Sequence, residues 1–311
     1  MRIGVFGAGG VGGFFGGKLA HSGEQVAFVA RGQHLIKLQT EGLRVDSIAG
    51  DFSLKKVQAA DDPHAIGQVD VILVGVKAWQ IPEAAQAMQP MVGHSTFVVP
   101  LQNGVEAPAQ LAEVLGADHV VGGLCRILSL KAGPGHIRHV GIEPYVAFGE
   151  LNNQPSERCQ RLLEIFHKAN VKAELPADIH AAIWEKFTFI SAVSGVGGVT
   201  RAPIGAIRSV PETRKLLILV MEEIVAVAKA LHIVLSPDLV SKTMEFIDRL
   251  PEGAQASMQR DLIAGRPSEL GYQNGAVVRL GNECRVPTPI NDFIYSSLLP
   301  QELKARGELK L

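Results

Sequence analysis

The chain has 311 residues, of which 47% are hydrophobic and 20% charged, so most of it is expected to fold. Lys and Arg number 30 against 31 Asp and Glu, and the net charge of −1 argues against nucleic acid or an acidic membrane as a partner. The cysteines Cys125, Cys159 and Cys284 lack C-x-x-C spacing, which argues against a disulfide framework or a zinc site.

Neither a transmembrane helix nor a secretion signal is expected. The longest largely apolar runs, such as 69–76, are much shorter than a bilayer span. Arg2 precedes an uncharged run, but that run is rich in glycine and no A-x-A cleavage site follows it. We therefore expect the first domain to begin at once and the protein to be cytoplasmic.

Strands and helices alternate over the first third of the chain, which predicts a doubly wound parallel sheet. The predicted strands are 2–6, 25–29, 43–45, 52–54, 69–74 and 96–100, and the predicted helices are 10–22 and 82–91. Short strands at 120–130, 136–139 and 145–149 predict antiparallel hairpins at the end of the sheet, followed by a helix at 156–169 and an edge strand at 171–175.

The pattern changes at Pro176, beyond which nearly every predicted element is a helix. Asp178 is a candidate N-cap for a helix over 179–194, and the Ser236-Pro237 pair is typical of a helix start. The other helices are predicted over 211–231, 268–281 and 291–299. The sequence therefore predicts an α/β domain over 1–175 and an all-α domain over 176–311.

A glycine-rich loop follows the first strand. Residues 7–12 read Gly7, Ala8, Gly9, Gly10, Val11 and Gly12, which is G-x-G-x-x-G between a strand and a helix. In this context the first glycine permits a tight turn, the second lets the backbone approach a pyrophosphate, and the third allows close helix–strand packing. The helix N-terminus favours the phosphate charge. The loop predicts dinucleotide binding by a Rossmann-type domain.

The end of the second strand indicates which nicotinamide cofactor is bound. NAD-binding sites usually place a carboxylate there for the ribose 2′-hydroxyl, whereas residues 28–32 contain none. Arg31 stands where a 2′-phosphate would lie, and a guanidinium binds phosphate well. NADP(H) is therefore the expected cofactor, the alternative being that Arg31 is a solvated surface residue.

Polar residues follow two further strands. Lys77 comes after the strand at 69–76, and Gln102 and Asn103 come after the strand at 96–100. Ligands in open α/β sheets bind at the carboxyl ends of the strands. Lys77 and Asn103 are therefore candidate cofactor contacts, although a lysine at a strand end is often only a solvated charge.

Lys186 lies in a mostly apolar helical segment. Burial favours the neutral amine, and a lysine brought toward neutrality can act as a general acid near pH 7. The alternative is a lysine whose ammonium extends to water, and helical periodicity alone favours that alternative.

Taken together, these motifs resemble the ketopantoate reductase (2-dehydropantoate 2-reductase) family. The resemblance rests on the glycine loop, Arg31, Lys77, the Gln102-Asn103-Gly104 run, Trp184-x-Lys186, Ser257, and Glu269-x-x-Tyr272-x-Asn274-Gly275, in this order and spacing. It implies a Rossmann-type domain followed by a helical domain like that of 6-phosphogluconate dehydrogenase. It also implies NADPH-dependent reduction of 2-dehydropantoate, on the pathway to pantothenate and coenzyme A.

The resemblance also assigns roles to residues of the helical domain. It implies that Lys186 is the general acid that protonates the ketone oxygen, and that Glu269 acts in catalysis beside the nicotinamide ribose. It implies that Asn103 contacts both cofactor and substrate, and that Ser257 binds the substrate carboxylate. Ser194 falls at a further substrate-binding position.

Four positions depart from the family pattern. Ile190, Ser194, Ile204 and Ala254 stand where the family carries asparagine. A site that hydrogen-bonds a substrate hydroxyl discriminates strongly, whereas an apolar pocket does not. The alternative substrate is therefore a different, less polar 2-oxo acid.

Two other interpretations remain open. An opine- or 6-phosphogluconate-type dehydrogenase acting on a sugar phosphate needs a basic cluster, which Arg201, Arg208 and Arg214 could form, although Arg201 and Arg208 flank an apolar stretch and are expected to face water. A non-enzymatic NADP(H)-sensing protein would not need both Lys186 and Glu269. No metal is expected, since the three histidines between 119 and 139 lack partners at ligand spacing. The apolar C-terminal helices are compatible with a homodimer.

Overall fold

The computed structural model describes residues 1–309, which form two compact units. The first unit consists of Met1–Gln102 and Ala107–Ile179. The second consists of the short segment Asn103–Glu106 and the chain from His180 onward. The predicted fold class, an α/β domain with a parallel sheet followed by a helical domain, is confirmed.

A five-stranded parallel sheet carries the glycine loop. Its strands lie in the order β5-β2-β1-β6-β7, and all neighbours are parallel. The strands are β1 (Arg2–Phe6), β2 (Gln25–Val29), β5 (Gln58–Ala60), β6 (Val69–Val74) and β7 (Val92–Pro100). The helices of this unit are α1 (Gly10–His21), α2 (Gly32–Glu41), α3 (Pro63–Ile66), α4 (Ile81–Met88), α5 (Ala107–Leu115) and α6 (Glu157–Lys168).

The antiparallel hairpin belongs to a second, separate sheet. The prediction that it lies at the end of the parallel sheet is wrong. The strands of the second sheet are β3 (Leu43–Ser47), β4 (Phe52–Leu54), β8 (Val121–Gly133), β9 (His136–Glu150) and β10 (Lys172–Glu174). The 15-residue β9 pairs with β8 on one edge and with β3 and β10 on the other, so both of its edges are used. The strands predicted separately at 136–139 and 145–149 are thus parts of the single strand β9.

Helix α1 is buried between the two sheets, and this explains its glycine content. A Cβ at Gly16 would lie 2.6 Å from Val5 and 2.7 Å from Phe28 on the parallel sheet. A Cβ at Gly17 would lie 2.9 Å from Leu43 on the second sheet. Residues 10–17 of this helix are all glycine or apolar, as expected for a helix enclosed by a core, whereas its last turn carries Lys18 and His21.

The second unit is helical throughout its described residues. Its helices are α7 (Ile179–Thr200, which begins at the last residue of the first unit), α8 (Ile204–Ser209), α9 (Pro211–Ala230), α10 (Leu239–Asp248), α11 (Ser257–Ile263), α12 (Asn274–Cys284) and α13 (Pro289–Arg306). Buried residues of α9, including Leu217, Met221 and Ile224, lie in its hydrophobic core. Among residues 1–309 we find no helix both long enough and apolar enough to span a membrane.

Helix boundaries differ from prediction at several places. Helix α7 continues to Thr200 rather than ending at residue 194. Helix α10 begins at Leu239 rather than near Ser236, whose hydroxyl donates to Asp238 instead of capping a helix. The helix predicted over 268–281 is interrupted, because a 3₁₀ turn over Leu270–Tyr272 precedes α12. Helix α13 continues through Pro300 to Arg306 rather than ending at residue 299. Glu302 in its last turns is buried, so this part of the helix packs against the rest of the unit.

Candidate active site

The glycine loop lies between β1 and α1, where the sequence placed it. Gly7 has a φ of +96°, which a side chain would strain, so the tight turn is confirmed. A Cβ at Gly12 would lie 2.1 Å from the carbonyl oxygen of Gly7, so the close helix–strand approach is also confirmed.

The same loop has the features of a pyrophosphate site. Apart from its immediate chain neighbours, no atom of residues 1–309 would lie within 4 Å of a Cβ at Gly9, so the fold leaves room at this position. The first turn of α1 carries no acidic residue to oppose an anion. Both observations fit a dinucleotide phosphate at the start of α1.

Arg31 occupies the N-cap position of α2, two residues after the end of β2. Its guanidinium lies 3.5 Å from the carboxylate of Glu83 on α4, and the two side chains are 67% and 71% exposed. An exposed pair at this distance contributes little to stability. Arg31 is therefore accessible to a phosphate, with Glu83 as a competing anion.

The ends of β6 and β7 are joined by Gln102. Its Nε2 donates to the carbonyl oxygens of Val74 at 2.7 Å and Val76 at 3.0 Å. Lys77 follows β6, and its ammonium lies 5.7 Å from the ring centroid of Trp79. The carboxyl edge of the sheet thus carries the polar groups that the sequence placed there.

In the second unit the structure brings Asn103 and Glu269 together. Asn103 Nδ2 donates to Glu269 Oε2 at 3.2 Å. Glu269 is only 5% exposed, so this hydrogen bond forms largely out of water. A buried carboxylate with an amide donor can orient a polar ligand group.

The backbone next to Glu269 is fixed from α13. Both carboxylate oxygens of Glu302 accept from the Ser268 amide at 3.0 Å, and one also accepts from the Ser268 hydroxyl at 2.5 Å. The Ser268 hydroxyl in turn accepts from the Leu270 amide at 3.3 Å. Residues on both sides of Glu269 are thereby held in place.

Helix α7 presents Lys186 and Ser194 two turns apart. Residues four apart share a helix face, so Lys186, Ile190 and Ser194 lie in one row. Lys186 and Ile190 are half-buried, whereas Ser194 is completely buried. The Ser194 hydroxyl has no hydrogen-bond partner among the described residues.

The remaining predicted site residues lie on neighbouring loops and helix starts. Ser257 is half-buried at the first position of α11. The Ile204 amide donates to the Ala254 carbonyl at 3.0 Å, so two of the four positions that depart from the family pattern are adjacent.

The three candidate arginines of a sugar-phosphate site are engaged elsewhere. Arg208 does not face water as expected, because its guanidinium donates to the carbonyls of Ile247 at 2.8 Å and Leu250 at 2.6 Å at the end of α10. Arg214 pairs with Asp248 at 2.5 Å, and Arg201 donates to Gln301 at 3.2 Å. They do not form a basic cluster.

Two supporting contacts were missed from the sequence, namely that of His34 in the first unit and that of Glu302 in the second. His34 is buried on α2 and touches the glycine loop, but the region 32–41 was not predicted to be helical. Glu302 lies beyond Pro300, where the predicted last helix had ended. Over residues 1–309 no cluster of three His, Cys, Asp or Glu side chains could hold a metal ion.

The class of protein follows from these features. A glycine loop between a strand and a helix, followed by a helical unit, is typical of nicotinamide dinucleotide-dependent oxidoreductases. The model of the family described as "Ketopantoate reductase PanE/ApbA" matches residues 3–153, and that of its C-terminal part matches residues 178–302. The chain therefore belongs to the ketopantoate reductase family.

Individual relatives cover nearly the whole chain. It is 30% identical to a 2-dehydropantoate 2-reductase of Mesorhizobium japonicum, over 95% of this chain and 96% of that one. It is 31% identical to a solved ketopantoate reductase of Ralstonia eutropha JMP134, with a TM-score of 0.90, covering 98% of this chain and 100% of that one. A D-mandelate dehydrogenase solved with NADH and anilino(oxo)acetate shares the fold, with a TM-score of 0.90 at 23% identity, covering 98% of this chain and 100% of that one.

Proposed function

We propose that the protein reduces 2-dehydropantoate to pantoate with NADPH, and that Lys186 is the general acid. Family membership supports the reaction class. The observation that most supports this site is the hydrogen bond between Asn103 and Glu269. Asn103 was a candidate because it follows a strand of the parallel sheet, and Glu269 because of the family resemblance.

Lys186 supplies the proton. The glycine loop would hold NADPH, which would supply the hydride for C2 of the 2-oxo acid. The C2–O π bond breaks as the hydride adds, and the Lys186 ammonium donates a proton to the oxygen that gains charge. A positioned ammonium stabilises this charge in the transition state. The neutral amine left behind regains its proton from water.

Asn103, Glu269 and Ser257 orient the reactants. The Asn103 amide is held by Glu269, and its carbonyl oxygen and second N–H stay available to a ligand. Ser257 at the start of α11 offers a hydroxyl for the substrate carboxylate. Ordering of this kind lowers the barrier by removing the freedom of the reactants before the chemical step.

NADPH is proposed over NADH because of Arg31. No carboxylate follows β2 to accept the ribose 2′-hydroxyl, and the guanidinium of Arg31 is exposed at the N-cap of α2. A charge-assisted contact to a 2′-phosphate is the interaction that this arrangement favours.

A less polar 2-oxo acid is the second candidate substrate. The observation in its favour is the contact between Ile204 and Ala254, which places apolar side chains at two neighbouring positions where the family carries asparagine. Ile190 adds a third apolar side chain on the Lys186 face of α7. An apolar wall tolerates substrates that lack a hydroxyl.

Two substrates that differ by one hydroxyl separate these candidates. We would measure kcat/KM for 2-dehydropantoate and for 3,3-dimethyl-2-oxobutanoate, its deoxy analogue, by the loss of NADPH absorbance. Turnover of 2-dehydropantoate at least as efficient as that of the analogue supports the first candidate. A preference for the analogue supports the second, and no turnover of either overturns both.

A further inference from the structure

His34 bridges two backbone segments inside the first unit. It lies on α2 and is 7% exposed. Its Nε2 is 2.8 Å from the carbonyl oxygen of Ala8 in the glycine loop. Its Nδ1 is 2.9 Å from the amide nitrogen of Gly135, in the turn between β8 and β9.

These two contacts fix the protonation state of the ring. A backbone amide can only donate, so Nδ1 accepts from Gly135. A backbone carbonyl can only accept, so Nε2 carries the proton and donates to Ala8. His34 is therefore neutral, in a single tautomer, when both hydrogen bonds are present.

The contact with Ala8 sets the direction of the next amide. The peptide bond between Ala8 and Gly9 is trans, so its C=O and N–H point in opposite directions within one rigid plane. Holding the Ala8 carbonyl toward His34 aims the Gly9 N–H away from it. Gly9 is the position where the chain leaves space for a ligand.

Strand β8, which leads into this turn, is itself tied to the loop. The hydroxyl of Ser129 on β8 donates to the carbonyl oxygen of Gly10 at 2.8 Å. A Cβ at Gly10 would lie 2.4 Å from the Ser129 carbonyl oxygen, so the strand and the loop are in close contact. The loop is thus supported from β8 directly and from the β8–β9 turn through His34.

We propose that His34 is a positioning residue for the cofactor, because it orients the Gly9 amide through the carbonyl of Ala8. This rests on the part of the proposed function that concerns nicotinamide dinucleotide binding and not on the identity of the substrate. His34 itself does not contact the cofactor. Losing this bond removes the restraint on the Ala8 carbonyl, although the Ala8 amide still donates to Val29 and the Gly9 carbonyl still accepts from Gly13. The Gly9 N–H is then less precisely aimed, which weakens binding of the pyrophosphate.

Substitutions at residue 34 can remove the two hydrogen bonds separately. The Nε2 of glutamine replaces the histidine Nε2 donor, so His34→Gln retains the bond to Ala8. The Oδ1 of asparagine replaces the Nδ1 acceptor, so His34→Asn retains only the bond to Gly135. His34→Leu removes both. His94→Leu, at an exposed histidine on β7, is the matched control.

The measurement is the Kd of NADPH from cofactor fluorescence at pH 8, with Tm recorded for each variant. We expect His34→Gln and His94→Leu to stay within about threefold of wild type, and His34→Asn and His34→Leu to bind roughly tenfold more weakly, the loss of one hydrogen bond. A purely structural role would lower Tm without this order in Kd. If His34→Leu does not fold, the comparison of Gln with Asn decides alone.

Two results from the variants at residue 34 overturn the proposal. One is an unchanged Kd in all three variants at residue 34, and the other is a glutamine variant that binds as weakly as the asparagine variant. Wild-type protein that binds neither NADPH nor NADH would also overturn it, together with the proposed cofactor. Wild-type protein that binds NADPH but reduces no 2-oxo acid refutes only the proposed substrate.

Discussion

Asn103 and Glu269 are 166 residues apart in sequence, yet the Asn103 amide donates to the Glu269 carboxylate at 3.2 Å. Asn103 belongs to a segment of four residues that is part of the helical unit although both of its neighbours in the chain lie in the α/β unit. A Cβ at Gly104 would lie 2.9 Å from the Tyr272 carbonyl, and Glu106 pairs with Arg279 at 2.6 Å. Three contacts thus fix the segment that presents Asn103.

Substitution of Lys186 tests the proposed general acid. We expect Lys186→Ala to lower kcat by about 10²–10⁴-fold, because the ketone oxygen then lacks its proposed proton donor. The Kd of NADPH should stay unchanged. Lys229→Ala, at an exposed lysine on α9, is the control and should leave kcat unaltered. A Lys186→Ala variant within threefold of wild-type kcat would show that Lys186 only extends to water.

Arg31 and Glu83 should have opposite effects on cofactor choice. Arg31→Ala removes a charged donor for the 2′-phosphate, so NADPH should bind about tenfold more weakly while NADH is unaffected. Glu83→Gln removes the anion that lies 3.5 Å from Arg31, so NADPH should bind more tightly. Both Kd values come from cofactor fluorescence. Equal affinity of the wild type for the two cofactors contradicts this prediction.

Glu302 should contribute to the free energy of unfolding although it is a charged residue near the end of the chain. It is 3% exposed and accepts hydrogen bonds from Ser268 and Arg306. Glu302→Ala leaves the buried Ser268 amide and hydroxyl without this acceptor, which costs about 1–3 kcal/mol of unfolding free energy. Urea denaturation measures this cost. Glu308→Ala, at an exposed residue after α13, is the control and should change the free energy by less than about 0.5 kcal/mol.

The unfolding free energy should also depend on the titration of His34. Burial lowers the pKa of His34, and the nearby Lys131 ammonium lowers it further, whereas the bond to Ala8 opposes the shift. The unfolded chain then takes up a proton at a higher pH than the folded one. The stabilisation is therefore complete above the unfolded pKa of about 6.5 and is lost as pH falls through the folded value.

His34→Gln removes this titration without removing the bond to Ala8. We expect the wild type to lose more unfolding free energy than His34→Gln between pH 8 and pH 5.5, both measured by urea denaturation. The difference between the two proteins isolates residue 34 from the other histidines. Parallel curves for the two proteins would contradict a lowered pKa at His34.

Much of the first unit could be predicted because its signals are local. The strand, glycine loop and helix over residues 2–21 follow from one continuous pattern, and the structure places them within one residue of the prediction. The second sheet could not be predicted in the same way, because β9 acquires its partners β3 and β10 from distant parts of the chain. Pairing partners depend on tertiary contacts that short-range patterns do not contain.

The site divides in the same manner. The glycine loop and Arg31 follow from motif and position, and the family resemblance directed attention to Asn103, Lys186 and Glu269. The support behind these residues was not predictable, because it comes from contacts such as that of Ser268 with Glu302 across 34 residues. The burial of Ser194 is a further example, since helical spacing gives its face but not its depth.

Ile190 gives the most direct test of the substrate pocket. It is half-buried and lies one turn from Lys186 on the same face of α7. We expect Ile190→Asn to raise the ratio of kcat/KM for 2-dehydropantoate over 3,3-dimethyl-2-oxobutanoate by roughly tenfold, because the new amide hydrogen-bonds the hydroxyl of one substrate and leaves a polar group unpaired against the other. The change should appear mainly in KM, as expected for binding that is equal in the ground and transition states.

Val199→Asn, at an exposed residue near the end of the same helix, is the control and should leave the ratio unaltered. A wild-type ratio already above about 10⁴, which a site that recognises a hydroxyl can reach, would show that other residues contact the hydroxyl and that Ile190 does not limit selectivity.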